Sequence, residues 1–216
     1  MIKAVIFDMN GIIIDDEHIH ELAFKETLKP FEINFTHDDY LECCAGKTDE
    51  NGYEYIAYKF SIKLPTIELL QKKAEWYLKF FPENKKTYPG VLELIQKLSK
   101  KYVLALTSSS SRAEVDLITK EFDLKKYFQV TISADEITKG KPDPEPYLKT
   151  ILLLKIKPKE CLVIEDSKSG VLSAKAAGCY CIGVTTTHDK DSLLECDLIT
   201  DSFKKINLDL VQSLGR

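Results

Sequence analysis

Ala4-Val5-Ile6-Phe7-Asp8-Met9-Asn10-Gly11 is a short apolar run that stops on an acid and then a turn-permitting glycine. An unbroken apolar run of this length, without alternation, is the pattern of a strand covered on both faces, as in a parallel sheet. The run Leu162-Val163-Ile164 ends in the same way, on Glu165-Asp166-Ser167, and Leu104-Ala105-Leu106-Thr107 ends on the hydroxyl-rich Ser108 to Ser111 and Arg112. Tyr102 to Thr107, Val130 to Ser133, Cys161 to Ile164 and Cys179 to Val184 likewise read as buried strands. Helical stripes lie between them. Val91, Leu92, Leu94, Ile95 and Leu98 make one, and Tyr147, Leu148, Ile151, Leu152 and Leu154 make another, opened by Pro144 and Pro146. Val171, Leu172 and Ala174 to Ala177 make a third, closed by Gly178. Strands alternating with helices predict an α/β doubly wound, mostly parallel, Rossmann-like sheet.

The alternation breaks from about Asp15 to Tyr88. Helical patterns over His18 to Leu28 and Thr66 to Phe81 have no clear strand between them, and Pro82 and Tyr88-Pro89-Gly90 mark the return to the sheet. The expected organisation is a core of residues 1–14 and 88–216 with a small inserted helical domain over 15–87.

The chain has 216 residues, 44% of them hydrophobic, which suffices for a well-buried core and argues against global disorder. Net charge is −4 with lysines and acids interspersed, so no basic stripe points to nucleic acid. No apolar run nears the ~20 residues of a membrane helix, and Met1 to Phe7 is too short for a secretion signal. A cytoplasmic monomer is expected. The six cysteines then read as free thiols, Cys179 and Cys181 lacking zinc-site spacing.

Parallel-sheet ligands bind where strands end, which selects four segments. Asp8 follows the first strand. Ser108 and its neighbours place hydroxyls and free backbone N–H groups at a helix start, a natural phosphate cradle. Lys139-Gly140-Lys141-Pro142-Asp143-Pro144 is a stiff loop holding Lys141 near another helix start. Glu165 and Asp166 put two carboxylates at a buried strand end, a costly place for charge without a cation. Singly, each has a plain structural reading: a turn Asp, a Ser N-cap, a solvated Lys, a capping acid. Together and in order they are far less ordinary.

This ordered set resembles the haloacid dehalogenase superfamily, in its branch of β-phosphoglucomutase and related sugar phosphatases. The resemblance rests on Phe7-Asp8-Met9-Asn10-Gly11-Ile12, Thr107-Ser108-Ser109-Ser110, Gly140-Lys141-Pro142-Asp143-Pro144 and Ile164-Glu165-Asp166-Ser167 with Gly170 and Gly178. Tyr88-Pro89-Gly90 and the helical insert, a cap domain in that branch, also match. It implies a phosphatase of a small phosphorylated metabolite, with Asp8 as nucleophile forming an aspartyl phosphate. It further implies Mg²⁺ held by Asp8, Asp166 and the Asn10 backbone carbonyl, with Glu165 assisting through water or by holding Lys141. Lys141 would neutralise the transferring group, and Ser108 and Ser109 would hold its oxygens. In the cap, His20 and Lys73 match residues near the substrate, although a solvated His and a surface Lys fit the sequence as well.

Two departures matter. The branch usually carries a second Asp where this chain has Asn10, and a carboxamide does not shuttle protons near neutral pH. That acid–base help is worth ~10²- to 10⁴-fold. A slow enzyme with a long-lived phosphoenzyme, a substrate whose leaving group needs no proton, and a pseudoenzyme or engineered trap all remain open. The segment Gly46-Lys47-Thr48-Asp49 has Asp49 where the mutase has an arginine for a second phosphate, which favours a monophosphate over a mutase's bisphosphate. Gly46-Lys47-Thr48 lacks the upstream glycine spacing of a P-loop.

Overall fold

The computed structural model describes residues 1–44 and 48–215. Gly46-Lys47 lies outside the described residues. Among the described residues six strands form one parallel sheet: β1 (Ala4–Phe7), β2 (Val103–Thr107), β3 (Phe128–Ile132), β4 (Cys161–Glu165), β5 (Tyr180–Val184) and β6 (Leu198–Thr200). Their order is β3-β2-β1-β4-β5-β6. The chain leaves β1 toward one edge and later returns to β4 on the other side, so the order reverses at β1 and β4. That is the switch point where α/β sheets bind ligands.

Register sets the height of each strand end. Phe7 pairs with Leu106 on β2 and with Ile164 on β4. The next residues, Asp8, Thr107 and Glu165, therefore stand level across the sheet. All four side chains of β1 and all five of β4 are buried, which explains why neither strand alternates.

The molecule divides into two compact units, Met1–Asp15 with Thr87–Arg216, and Asp16–Lys86. The sheet unit carries α5 (Val91–Leu98), α6 (Arg112–Glu121), α7 (Glu145–Leu154), α8 (Lys168–Ala176) and α9 (Leu208–Leu214). A core of Ala4, Ile6, Tyr147, Ile151, Val163, Val171, Ala174 and Cys181 packs α7 and α8 on the sheet. Ser111 caps α6 reciprocally with Glu114, and Ser167 caps α8 by accepting from the Gly170 amide at 3.1 Å.

The inserted unit is helical: α1 (Glu17–Leu28), α2 (His37–Cys43), α3 (Asp49–Lys59) and α4 (Thr66–Asn84). Phe24, Leu28, Tyr40, Tyr53, Ile56 and Leu69 form its core. Pro82 does not end α4 as the sequence suggested. The helix runs on to Asn84, whose side-chain amide donates to the Phe80 carbonyl at 2.9 Å and closes the last turn. All six cysteines are free thiols, five of them buried, and no helix among the described residues is long and apolar enough to cross a membrane.

Candidate active site

The turn after β1 builds the site's floor. The Met9 carbonyl accepts from the amides of Ile12, Ile13 and Ile14, and the Gly11 amide donates to Ile14 O at 3.0 Å. Gly11 sits at φ +76°, and a Cβ there would lie 2.0 Å from Asp166 Oδ2. Glycine is thus required twice, by backbone conformation and by the neighbouring carboxylate. Thr186, just past β5, donates its hydroxyl to Gly11 O at 2.5 Å.

Asp8, on the first residue past β1, is buried with its amide on Ile164 O. The Lys141 ammonium donates to Asp8 Oδ1 and to Glu165 Oε1, both at 2.6 Å. The Lys141 side chain is 6% exposed, which overturns its reading as a solvated lysine. Its loop is tied down from both sides. The Asp143 carboxylate accepts from Glu145 N, the Glu145 carboxylate from the amides of Thr138 and Lys139, and Ser173 donates to Asp143 O.

Glu165 is fully buried and fully engaged. Oε1 accepts from Lys141 and from the Tyr147 hydroxyl at 3.0 Å, while Oε2 accepts from Asp166 N, Ser167 N and the Ser167 hydroxyl. Gly170 makes room for it, since a Cβ at that position would stand 1.7 Å from Glu165 Oε1. Asp166 Oδ2 accepts from the Thr187 hydroxyl.

Asp8, Glu165 and Asp166 bring ligand-capable oxygens within 4.8 Å of one another. One ammonium faces three carboxylates. Burial pushes the Asp8 carboxyl up to about 7 against the pull of Lys141, with Glu165 adding to the rise. Burial, then Glu165 and Asp8, push Asp166 well above the usual carboxylate range. Glu165 goes the other way: burial raises it, but Lys141 and the donors around it outweigh that. Lys141 is itself raised, since Asp8 and Glu165 overcome its desolvation. The protein's own donors thus satisfy Glu165, whereas Asp8 shares the Lys141 ammonium with it and Asp166 is bonded to a neutral hydroxyl. An oxygen-only set of three buried carboxylates around one ammonium fits a hard divalent cation.

Ser108 is buried beside this group. Its hydroxyl donates to Asn10 Oδ1 at 3.4 Å, and the Ser110 hydroxyl donates to the same oxygen at 2.8 Å. Ser109 is exposed in the same loop. Sequence reasoning gave no role to Ser110, Tyr147, Thr186 or Thr187. The last two carry the signal that marked Ser108: Thr185-Thr186-Thr187 is a hydroxyl run past the end of a buried strand.

His20 and Lys73 meet within the inserted unit. Lys73 is 1% exposed at its side chain and donates to Asp49 Oδ2 at 2.6 Å and to His20 Nδ1 at 2.7 Å. It is not a surface lysine. His20 stacks on Tyr77 with ring centroids 4.6 Å apart, and its Nε2 faces Asp16 Oδ2 at 3.3 Å. With Nδ1 accepting from the ammonium, the ring proton sits on Nε2. Asp49 neutralises a buried lysine, so its charge is spent inside this unit.

The model of the haloacid dehalogenase-like hydrolase family matches residues 5–184. The chain belongs to this family. It is 34% identical to the phosphorylated carbohydrates phosphatase of Thermotoga maritima, over 91% of this chain and 92% of that one. It is 29% identical to β-phosphoglucomutase of Bacillus subtilis, over 97% and 93%. A CbbY mutant from Rhodobacter sphaeroides, solved in complex with xylulose 1,5-bisphosphate, shares 26% identity and superposes with a TM-score of 0.83, covering 96% of this chain and 97% of the other. As a haloacid dehalogenase-like protein with these relatives, the chain is a phosphatase or phosphotransferase.

Proposed function

We propose that this haloacid dehalogenase-like protein is a phosphatase of small phosphorylated metabolites, sugar phosphates foremost, acting through an aspartyl phosphate on Asp8. The observation that carries this is the buried Lys141 ammonium shared between Asp8 and Glu165 beside Asp166. A carboxylate held by an ammonium at a sheet's switch point is placed to attack phosphorus while that ammonium offsets charge on the equatorial oxygens. Asp8 forms the new P–O bond as the substrate's ester oxygen leaves. Glu165, with five protein donors, keeps Lys141 in place, and Ser108 and Ser109 bind phosphate oxygens. Asp8, Asp166 and the Asn10 main-chain carbonyl would hold Mg²⁺, which supplies charge neutralisation at the phosphoryl group. Selectivity for the organic part of the substrate is assigned to the inserted unit through His20 and Lys73.

The relatives' names support sugar phosphates as the substrate class, while Asp49, paired with Lys73, does not separate a monophosphate from a mutase's bisphosphate. The carboxamide of Asn10 supports slow release of the leaving group. The test is hydrolysis of an aryl phosphate and a panel of sugar phosphates with Mg²⁺. Wild type should hydrolyse the aryl ester, and Asp8→Ala should keep the circular-dichroism spectrum of the fold and lose turnover to background. Substantial turnover by folded Asp8→Ala would sink the mechanism.

A further inference from the structure

We propose that Asn10 is a site of spontaneous side-chain hydrolysis that converts it to aspartate and so installs a proton-carrying carboxyl beside the nucleophile. The idea rests on the reading of Asp8 as nucleophile for its consequence, but not for its chemistry. Asn10 is followed by Gly11. Glycine has no Cβ, so its backbone nitrogen approaches the preceding side-chain Cγ with least hindrance. Here no other residue can follow Asn10, because φ is +76° and a Cβ would lie 2.0 Å from Asp166 Oδ2. The requirement that shapes the turn therefore keeps the least hindered residue type directly after Asn10.

The second observation is the pair of hydroxyls on Asn10 Oδ1, Ser110 at 2.8 Å and Ser108 at 3.4 Å. Donors on a carbonyl oxygen stabilise the negative charge that develops there when a nucleophile adds to the carbon. The balanced steps are these. Gly11 N attacks Asn10 Cγ, a C–N bond forms, and ammonia leaves with the displaced amide nitrogen and the Gly11 N–H proton. Water then adds to the cyclic imide. Addition at Cγ reopens the ring to a normal aspartate, and addition at the backbone carbonyl gives the isoaspartyl chain. The net change is amide plus water to acid plus ammonia. Because the hydroxyls polarise Cγ=O, water is directed there and aspartate is the favoured product. The Gly11 amide is donated to Ile14 O, so the attack waits on opening of that turn. Conversion is therefore slow, and fresh protein carries Asn10.

Asn51-Gly52 is an internal comparison. It is the same dipeptide inside α3, with the Gly52 amide donated to Thr48 O at 2.9 Å along the helix. Purified folded protein is aged in mildly alkaline buffer made with isotopically heavy water oxygen. Peptide mapping then scores amide-to-acid conversion at each site, and phosphatase turnover on an alkyl phosphate is followed in the same samples beside freshly made Asn10→Asp protein. Conversion at Asn10 should outrun that at Asn51, carry the heavy oxygen, favour aspartate over isoaspartate and slow severalfold in Ser110→Ala. Turnover should climb with the converted fraction toward the Asn10→Asp value. An unchanged Asn10 after Asn51 has converted, or conversion with flat turnover while Asn10→Asp is fast, overturns the proposal. If Asn10→Asp is itself no faster than wild type, the acid–base part of the functional reading fails, and the mass shift at Asn10 decides the hydrolysis separately.

Discussion

At residue scale the site turns on what each polar atom already has. Glu165 is saturated by protein donors, whereas Asp8 and Asp166 hold raised affinities for protons. That division leaves one carboxylate holding Lys141 and two available to a cation. It was legible only as a set, since Glu165-Asp166 reads the same from either side until the Lys141 and Tyr147 contacts are seen. Asn10 is the counterpart problem. The sequence showed what the carboxamide lacks but not that two serines pin its oxygen. Asn and Asp are near-isosteres, so Asn10→Asp should keep the turn and gain a proton carrier. Turnover on alkyl phosphates should rise by up to ~10²- to 10⁴-fold and change little on aryl phosphates, whose leaving group needs little help. Side-by-side steady-state rates on both esters check this, and an equal gain on both would argue for an effect other than proton transfer.

At the scale of elements, the buried strands were readable because nothing in them alternates. β1 matches its expected span, and β2, β4 and β5 lie within a residue of theirs. β3 begins earlier, at Phe128, because Gln129 interrupts the apolar run on an otherwise paired strand. β6 went unread. It is three residues long at the sheet edge, and its Leu198-Ile199-Thr200 is too short to show a period. The short helices α2 and α3 were hidden similarly, being dense in charged and polar residues. The helix whose position matters most to the site is α8. Its third residue, Gly170, packs against Glu165 so closely that Gly170→Ala must displace the carboxylate or the helix. Overpacking of this kind costs ~1–3 kcal/mol. We expect a lowered denaturant midpoint together with a fall in turnover larger than the stability loss explains, because Lys141 loses its anchor. A variant destabilised to that degree but fully active would show that Glu165 is not needed to place Lys141.

For the whole molecule, the acidic cluster links stability to pH and metal. Asp8 has an ordinary value of 3.8 and is pushed up to about 7 in the folded, metal-free chain. Between these values the native state holds more protons than the unfolded one, so stability falls as pH rises through that window. Asp166 acts in the same direction. Glu165 is lowered from 4.5, so its contribution is complete above that value, and that of Lys141 persists below 10.5. A divalent ion replaces the missing protons. Added Mg²⁺ should therefore raise the thermal midpoint far more at a pH well above 7 than well below it. Equal shifts at both would remove Asp8 and Asp166 as the ligands.

The strand order also bears on synthesis. Phe7 precedes both of its strand partners in the chain, Leu106 on one side and Ile164 on the other. Asp16–Lys86, by contrast, is one continuous stretch. On a ribosome the helical unit is complete at Lys86, β2 follows from Val103 to pair one edge of β1, and the other edge stays open until β4 emerges at Cys161–Glu165. Non-local pairing of this kind is slow and leaves sticky surface in the meantime. One edge of Ala4 to Phe7 should thus stay open to chaperones until Cys161 to Glu165 have emerged, and the strand that leads into Asp8 is the one left half-paired longest.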